Sequence, residues 1–396
     1  MKILMVNDHI HFGGGGDAVF QLERQIFEQA GHHVSTYSMS DQVETVTSQH
    51  DVVFQESSSY LARKLGKFLY TPRLINHFKQ TLDELQPDFI KLHLISKYPA
   101  EVYAALMGYK AVQILHGPNL FCATSWGVVK ADGRACEQGI GLKCFRQGCV
   151  NLIQLPLHLN LNRRVHKTIH QVIEKYLAPS HQIAQTAQNL GYGPVEYFPL
   201  AVDPRFEDIR PRYDDRANLL FVGALVEPKG IKFLLEALPS LIRVFPDLTL
   251  NIAGRGILED QLRQNVAQLN LQAHVNFLGF QSRANILKLY QQATLVVMPS
   301  IWCEQFGLVG PEALAAGVPV VASNIGGIPE WCQHEKHGLL VEPRNSQQIS
   351  AAVSRLLSNK ALRQQYGEAG REFVLAHYGY QKFQSNVLAQ LKDRLD

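Results

Sequence analysis

Leu295-Val296-Val297-Met298, followed by Cys303-Glu304-Gln305-Phe306-Gly307-Leu308-Val309-Gly310-Pro311-Glu312-Ala313-Leu314-Ala315-Ala316-Gly317-Val318-Pro319-Val320-Val321-Ala322, is the stretch from which the fold can be read. The first four residues form a short apolar run, the pattern of a strand buried on both faces of a parallel sheet. Open α/β sheets bind ligands at the loop leaving the carboxyl end of such a strand, and here that loop carries Glu304. Pro311 suits a first helical turn, so Glu312 is expected near a helix N-terminus, while Gly307 lets backbone amides approach a ligand. Amides and the helix dipole suit phosphate oxygens; two carboxylates suit the hydroxyls of a sugar or ribose. Together these features describe a nucleotide-sugar pocket.

The same alternation of apolar β-branched runs with helical stretches extends through the chain, as in parallel sheets with crossover helices. One series of strands is expected at residues 3–6, 34–37, 52–54, 89–92, 112–115 and 176–178. A second is expected at 219–223, 248–253, 275–278, 295–298, 318–322 and 339–341. At 396 residues the chain suits two domains. Proline and charge between residues 199 and 216 mark a linker. The expected division is 1–203 for an N-terminal Rossmann-like domain and 204–379 for a C-terminal one. A last helix at 380–396 packs back on the first domain. The fold class is thus α/β, with two doubly wound domains expected to face an interdomain cleft, a common place for a small-molecule site.

A formal net charge of +3 and no dense basic tract argue against nucleic acid as the main partner. Between residues 60 and 80, Arg63, Lys64, Lys67, Arg73 and Lys79 alternate with apolar residues and no acidic one intervenes. This reads either as a solvated helix face packed on its apolar side or as an amphipathic basic face for an anionic lipid surface or a phosphorylated acceptor. No signal peptide or membrane-spanning run is apparent, so a cytoplasmic protein, at most peripheral to the inner face of the membrane, is expected. Cys122, Cys136, Cys144 and Cys149 share one glycine-rich stretch. Their spacing matches no compact zinc signature, so reduced thiols are expected, with structural zinc or a disulfide as the alternatives.

Further loops carry chemistry. Phe12-Gly13-Gly14-Gly15-Gly16-Asp17 follows the first strand and opens a helix, a setting for diphosphate, although the dinucleotide fingerprint is incomplete. Gly223 closes another strand, and Lys229, at the mouth of the next helix, is placed to neutralise a leaving diphosphate. Arg255 lies in Ala253-Gly254-Arg255-Gly256, and Gly326-Gly327 enters a further helix. His116 and His93 end adjacent first-domain strands; His93 is expected to be buried and hydrogen-bonded.

With Glu304 to Glu312, Gly317-Val318-Pro319-Val320-Val321-Ala322, Gly326-Gly327-Ile328-Pro329-Glu330, Gly338-Leu339-Leu340-Val341, Gly223 and Lys229-Gly230 in place, the chain resembles the retaining glycosyltransferases of family 4, of GT-B fold, along nearly its whole length. The resemblance implies that Glu312 binds ribose hydroxyls, Glu304 the donor sugar and Lys229 the diphosphate. By the same resemblance Gly14 and Gly15 meet phosphates, Phe306, Gly307 and Leu308 add contacts near sugar and phosphate, and His116 lies close to the donor sugar. Ala224 stands where the family commonly has arginine, and Arg255 is the expected substitute. The implied reaction is metal-independent transfer with retention from a UDP- or GDP-sugar to a saccharide or lipid-linked acceptor, in cell-surface polysaccharide or glycolipid synthesis, with no cofactor. A nucleotide-sugar epimerase of the same fold and a non-catalytic nucleotide-sugar-binding protein are the alternatives.

Overall fold

The computed structural model describes residues 1–9, 14–40, 50–55, 65–131, 133–211, 213 and 216–392. By contacts the chain divides into one unit of Met1–Pro199 with Phe383–Asp396 and another of Leu200–Lys382. In the first unit, strands β1 (Lys2–Val6), β2 (His33–Ser40), β3 (Asp51–Gln55), β4 (Phe89–Leu92), β5 (Ala111–Ile114), β6 (Ile173–Ala178) and β7 (Val195–Tyr197) form one sheet of order β3-β2-β1-β4-β5-β6-β7. Every neighbouring pair is parallel. Helices cover such a sheet on both faces, which is why β1 is apolar from Ile3 to Val6 and β4 is apolar except at Lys91. Leu4, Val6, Ile90 and Leu92 are buried with Phe78, Tyr103 and Ile169 from the helices.

The second unit repeats the plan with β8 (Asn218–Val222), β9 (Thr249–Ala253), β10 (Val275–Gly279), β11 (Leu295–Met298), β12 (Val320–Ser323) and β13 (Gly338–Val341). Their order is β10-β9-β8-β11-β12-β13, again all parallel. The helix Ile231–Val244 buries Ile231, Leu234, Leu235, Leu238 and Leu241, a stripe at helical spacing that faces the sheet. In each sheet the strand order reverses once, between β1 and β4 and between β8 and β11. Crossovers leave those two strands in opposite directions, so the loops at their carboxyl ends part and leave room for a ligand.

The expected strands are present, with shifts at their ends. The run at 318–322 becomes Val320–Ser323, because Pro319 has no amide hydrogen to give to the ladder. β7 was not expected: it is a three-residue edge strand with no fully buried position. Leu200, Ala201 and Val202, read as linker, are buried. The last helix runs over Tyr380–Ala389, and within the first unit Phe383 meets Phe198 while Gln390 accepts a hydrogen bond from Lys91. Residues 60–64 of the basic stretch lie outside the described residues. In the helix Pro72–Leu85 beyond them, Leu74, Ile75 and Phe78 are buried and Arg73 and Lys79 exposed, a solvated face packed on its apolar side. No described helix is long and apolar enough to cross a membrane.

Candidate functional site

In the second unit, the reversal of strand order brings together the loops after β8 and β11. After β8 the chain makes a short 3-10 turn, Glu227–Lys229, and enters the helix at Gly230. Gly230 has φ +64°, and a Cβ there would stand 1.9 Å from the Pro299 carbonyl oxygen, so the two loops touch through a position only glycine can fill. Ile301 N–H donates to the Pro228 carbonyl across the same contact. This closure places Lys229 Nζ 2.7 Å from Glu304 Oε1, and Ser300 Oγ donates to the same oxygen at 2.7 Å. Glu304 is 3% exposed, and these two partners satisfy its buried Oε1. Lys229 also lies over the Trp302 ring, 4.9 Å from its centre. The Glu304 backbone is held from its other side. Gly327 N–H donates to the Glu304 carbonyl, and at Gly326, with φ +63°, a Cβ would come within 2.3 Å of that oxygen.

Glu312 lies in the first turn of the helix Val309–Ala315, preceded by Leu308 at the N-cap. Its Oε1 accepts from Arg283 Nη2 at 2.8 Å and its Oε2 from the Tyr290 hydroxyl at 3.3 Å. Arg283 Nε also donates to Asp203 Oδ2 at 3.0 Å. Burial raises the Glu312 pKa, and the Arg283 guanidinium offsets part of that rise. Phe306 is buried, and its carbonyl accepts from Trp331 Nε1. Gly307, at φ +77°, turns the chain toward the helix. Gly223, at the end of β8, donates its N–H to the Ala253 carbonyl. Arg255 is exposed and lies against Gly279 at the end of β10, and among the described residues it bonds to none of Lys229, Glu304 and Glu312. Lys229 and Glu304 are therefore brought together, whereas Arg255 sits one strand further out. Arg283, Tyr290 and Ser300 went unnoticed in the sequence because nothing in their own neighbourhoods marks their distant partners.

In the first unit, residues 10–13 of the glycine loop lie outside the described residues. Gly14 caps the helix Gly15–Gln29 in an extended conformation, and Gly15 is its first residue. A Cβ on Gly16 would come within 3.5 Å of His116 Cγ, so this helix start sits beside His116. His116 Nε2 is 3.0 Å from His93 Nδ1, and the rings stack at 5.2 Å. Behind them, Glu23 Oε2 lies 3.3 Å from His93 Nε2 and 2.5 Å from Lys91 Nζ, the closer partner. Burial works to raise the Glu23 pKa, but Lys91 and His93 outweigh it and hold the carboxyl at about 2. Burial lowers both histidines, His116 well below the usual range, which favours the neutral form of each ring. A charge in the run Phe89-Ile90-Lys91-Leu92 was the available signal for this network, because a lysine inside a covered strand requires a buried partner. His93 and His116 line a cavity of about 80 Å³ together with Lys67, Ser96, Asn119 and His158.

Cys122, Cys136, Cys144 and Cys149 are free thiols, and no group of three or more His, Cys, Asp or Glu among the described residues is arranged to hold a metal ion. Burial raises the Cys136 and Cys144 thiols.

Comparison with known proteins places this architecture. The profile of the family described as glycosyl transferases group 1 matches residues 203–373. Phosphatidyl-myo-inositol mannosyltransferase of Mycobacterium leprae is 39% identical over 266 residues, covering 66% of this chain and 67% of that protein. An uncharacterized glycosyltransferase of Methanocaldococcus jannaschii is 39% identical over 167 residues, 42% of each chain, so the chain spans less than half the length of that relative. The fold of sucrose-phosphate synthase from Thermosynechococcus elongatus superposes with a TM-score of 0.76 at 21% identity, over 100% of this chain and 98% of that one. The two Rossmann-like parallel sheets are those of the GT-B fold. The chain belongs to the glycosyl transferases group 1 family.

Proposed function

We propose that this protein transfers a sugar from a UDP- or GDP-sugar to a hydroxyl of a saccharide or lipid-linked acceptor, with retention at the anomeric carbon. The observation that carries this reading is the Lys229–Glu304 pair at the reversal between β8 and β11. A cation and an anchored carboxylate there suit the two halves of such a donor. Lys229 meets the diphosphate and stabilises the charge that grows as the anomeric C–O bond breaks. Glu304, positioned by Ser300 and the Gly326-Gly327 turn, accepts hydrogen bonds from the sugar hydroxyls. Glu312 accepts from the ribose once Arg283 yields part of its hold. The acceptor oxygen attacks from the face the diphosphate leaves, and a phosphate oxygen takes its proton. No nucleophile from the chain is needed, so positioning and charge stabilisation account for the catalysis.

His116 has an assigned direction in this scheme. With Glu23 ionised and both histidines neutral, His93 turns its N–H toward Glu23 and accepts from His116 Nε2–H. His116 Nδ1 is then left as an acceptor for a hydroxyl. The relative named phosphatidyl-myo-inositol mannosyltransferase supports a lipid acceptor. Turnover of a panel of UDP- and GDP-sugars, with the product anomer read by NMR, tests the proposal. Retained configuration is expected, with transfer abolished in Glu304→Ala. Inverted product, or wild-type rates in that variant, would overturn it.

A further inference from the structure

Residues 138–173 contain no aspartate or glutamate, yet carry Lys143, Arg146, Arg163, Arg164 and Lys167. Of these, Arg164 is paired, with Glu101. Lys143 and Arg146 are exposed and have no carboxylate partner among the described residues. The helices Leu142–Arg146 and Gln154–Val172 meet through a small cluster of Cys144, Val150 and Leu155, with Cys149 and Leu159 against it. That cluster uses only one side of the module. On the other, Leu142 is 64% exposed, Phe145 41%, Leu152 67% and Ile153 80%. Leu142 and Phe145 are three apart and share a helix face, and Lys143 and Arg146 form the adjacent ridge. Single exposed apolar residues are ordinary; four within twelve positions, rimmed by unpaired cations, are not.

We propose that this face docks the protein on an anionic lipid bilayer, with Leu142, Phe145, Leu152 and Ile153 entering the headgroup boundary and Lys143 and Arg146 meeting lipid phosphates. The charge of the whole stretch complements such a surface. A second copy of the chain fits poorly, because a two-fold contact would set the basic stretch against itself. The side chains project from a helix and a loop and need no matching pocket, which suits a fluid partner. This face differs from that of the helix Pro72–Leu85, whose apolar side is already buried. The same long helix supplies His158, Leu161 and Val165 to the cavity beside His116, so docking would bring the bilayer within a few helical turns of that cavity. Docking does not rest on the sugar-transfer reading, and its failure would leave that reading standing.

Co-sedimentation of the full chain with vesicles of phosphatidylcholine and phosphatidylglycerol, against phosphatidylcholine alone, tests this. Binding to the anionic vesicles is expected, weakened by salt, and reduced about tenfold or more both by Leu152→Asp with Ile153→Asp and by Lys143→Glu with Arg146→Glu. All four positions are exposed, and circular dichroism checks that the variants remain folded. The proposal is overturned by absence of binding in the wild type, by equal binding to neutral vesicles, or by variants that bind as well as the wild type. Sedimentation velocity showing a wild-type dimer that the apolar variant dissolves would equally overturn it, in favour of a second copy.

Discussion

Replacing Lys229 with methionine removes the cation 2.7 Å from Glu304 while keeping most of the stem's volume. Glu304 is 3% exposed, so the variant leaves a buried carboxylate with Ser300 as its remaining side-chain donor. Breaking a buried pair from one side costs about 3–5 kcal/mol. Because the Lys229 side chain is 27% exposed and water can replace part of it, the cost here falls to about 2–3 kcal/mol. For a unit of this size that lowers the melting temperature by about 4–12 °C in scanning calorimetry. Turnover should drop by about 10²–10³, the usual loss when one preorganised charge-stabilising group is removed. The double variant Lys229→Met with Glu304→Gln no longer buries an unpaired charge, so it should regain most of the stability and none of the turnover. An unchanged melting temperature in the single variant would show that the pair is not buried as described. Recovery of turnover in the double variant would show that the lysine matters only for folding.

Gly326→Ala forces a Cβ within 2.3 Å of the Glu304 carbonyl oxygen at φ +63°, so it should yield little soluble protein or melt well below the wild type; a variant melting like the wild type contradicts the described packing. His93→Phe should free the His116 tautomer and slow turnover, while His93→Asn, which keeps an acceptor near the Nδ1 position, should restore both. Long-range ¹⁵N–¹H NMR of the His116 ring reads the tautomer directly, and an Nδ1–H form in the wild type would contradict the assignment. Burial, with Lys67 beside it, pushes His158 down to about 4. Between that value and the ordinary 6.5 the unfolded chain binds the proton and the folded chain does not. Stability should therefore fall as pH drops through that window, and His158→Gln should flatten the fall in denaturant titrations.

Much of the fold was legible because parallel strands covered on both faces are mostly apolar, and such runs as Leu295-Val296-Val297-Met298 have few other readings. β7 was not legible, since an edge strand of three partly exposed residues has no such pattern. At the site, Lys229 stood out beside Gly230, which the contact of its loop with Pro299 requires, and Glu304 stood out three residues before Gly307 on the loop leaving β11. The partners of Glu312 did not. Arg283 and Tyr290 meet it through the folded chain, with Asp203 on the far side of Arg283, and an arginine at the start of a helix looks in sequence like any solvated one. The glycine before Arg255 has a second reading in the structure. Gly254 packs its backbone against Gly223, and a Cβ would stand 1.9 Å from the Gly223 carbonyl oxygen, so loop-to-loop contact explains that glycine without a phosphate.

Calorimetric titration of the full chain with UDP, GDP and their sugars tests most directly the claim that the residues at the β8–β11 reversal grip a nucleotide sugar. The account predicts saturable binding of one nucleoside diphosphate, weakened by both Glu312→Ala and Lys229→Met, with Glu304→Ala lowering the gain contributed by the sugar. Failure of the folded wild type to bind any of these ligands, or equal affinity in all three variants, would contradict it.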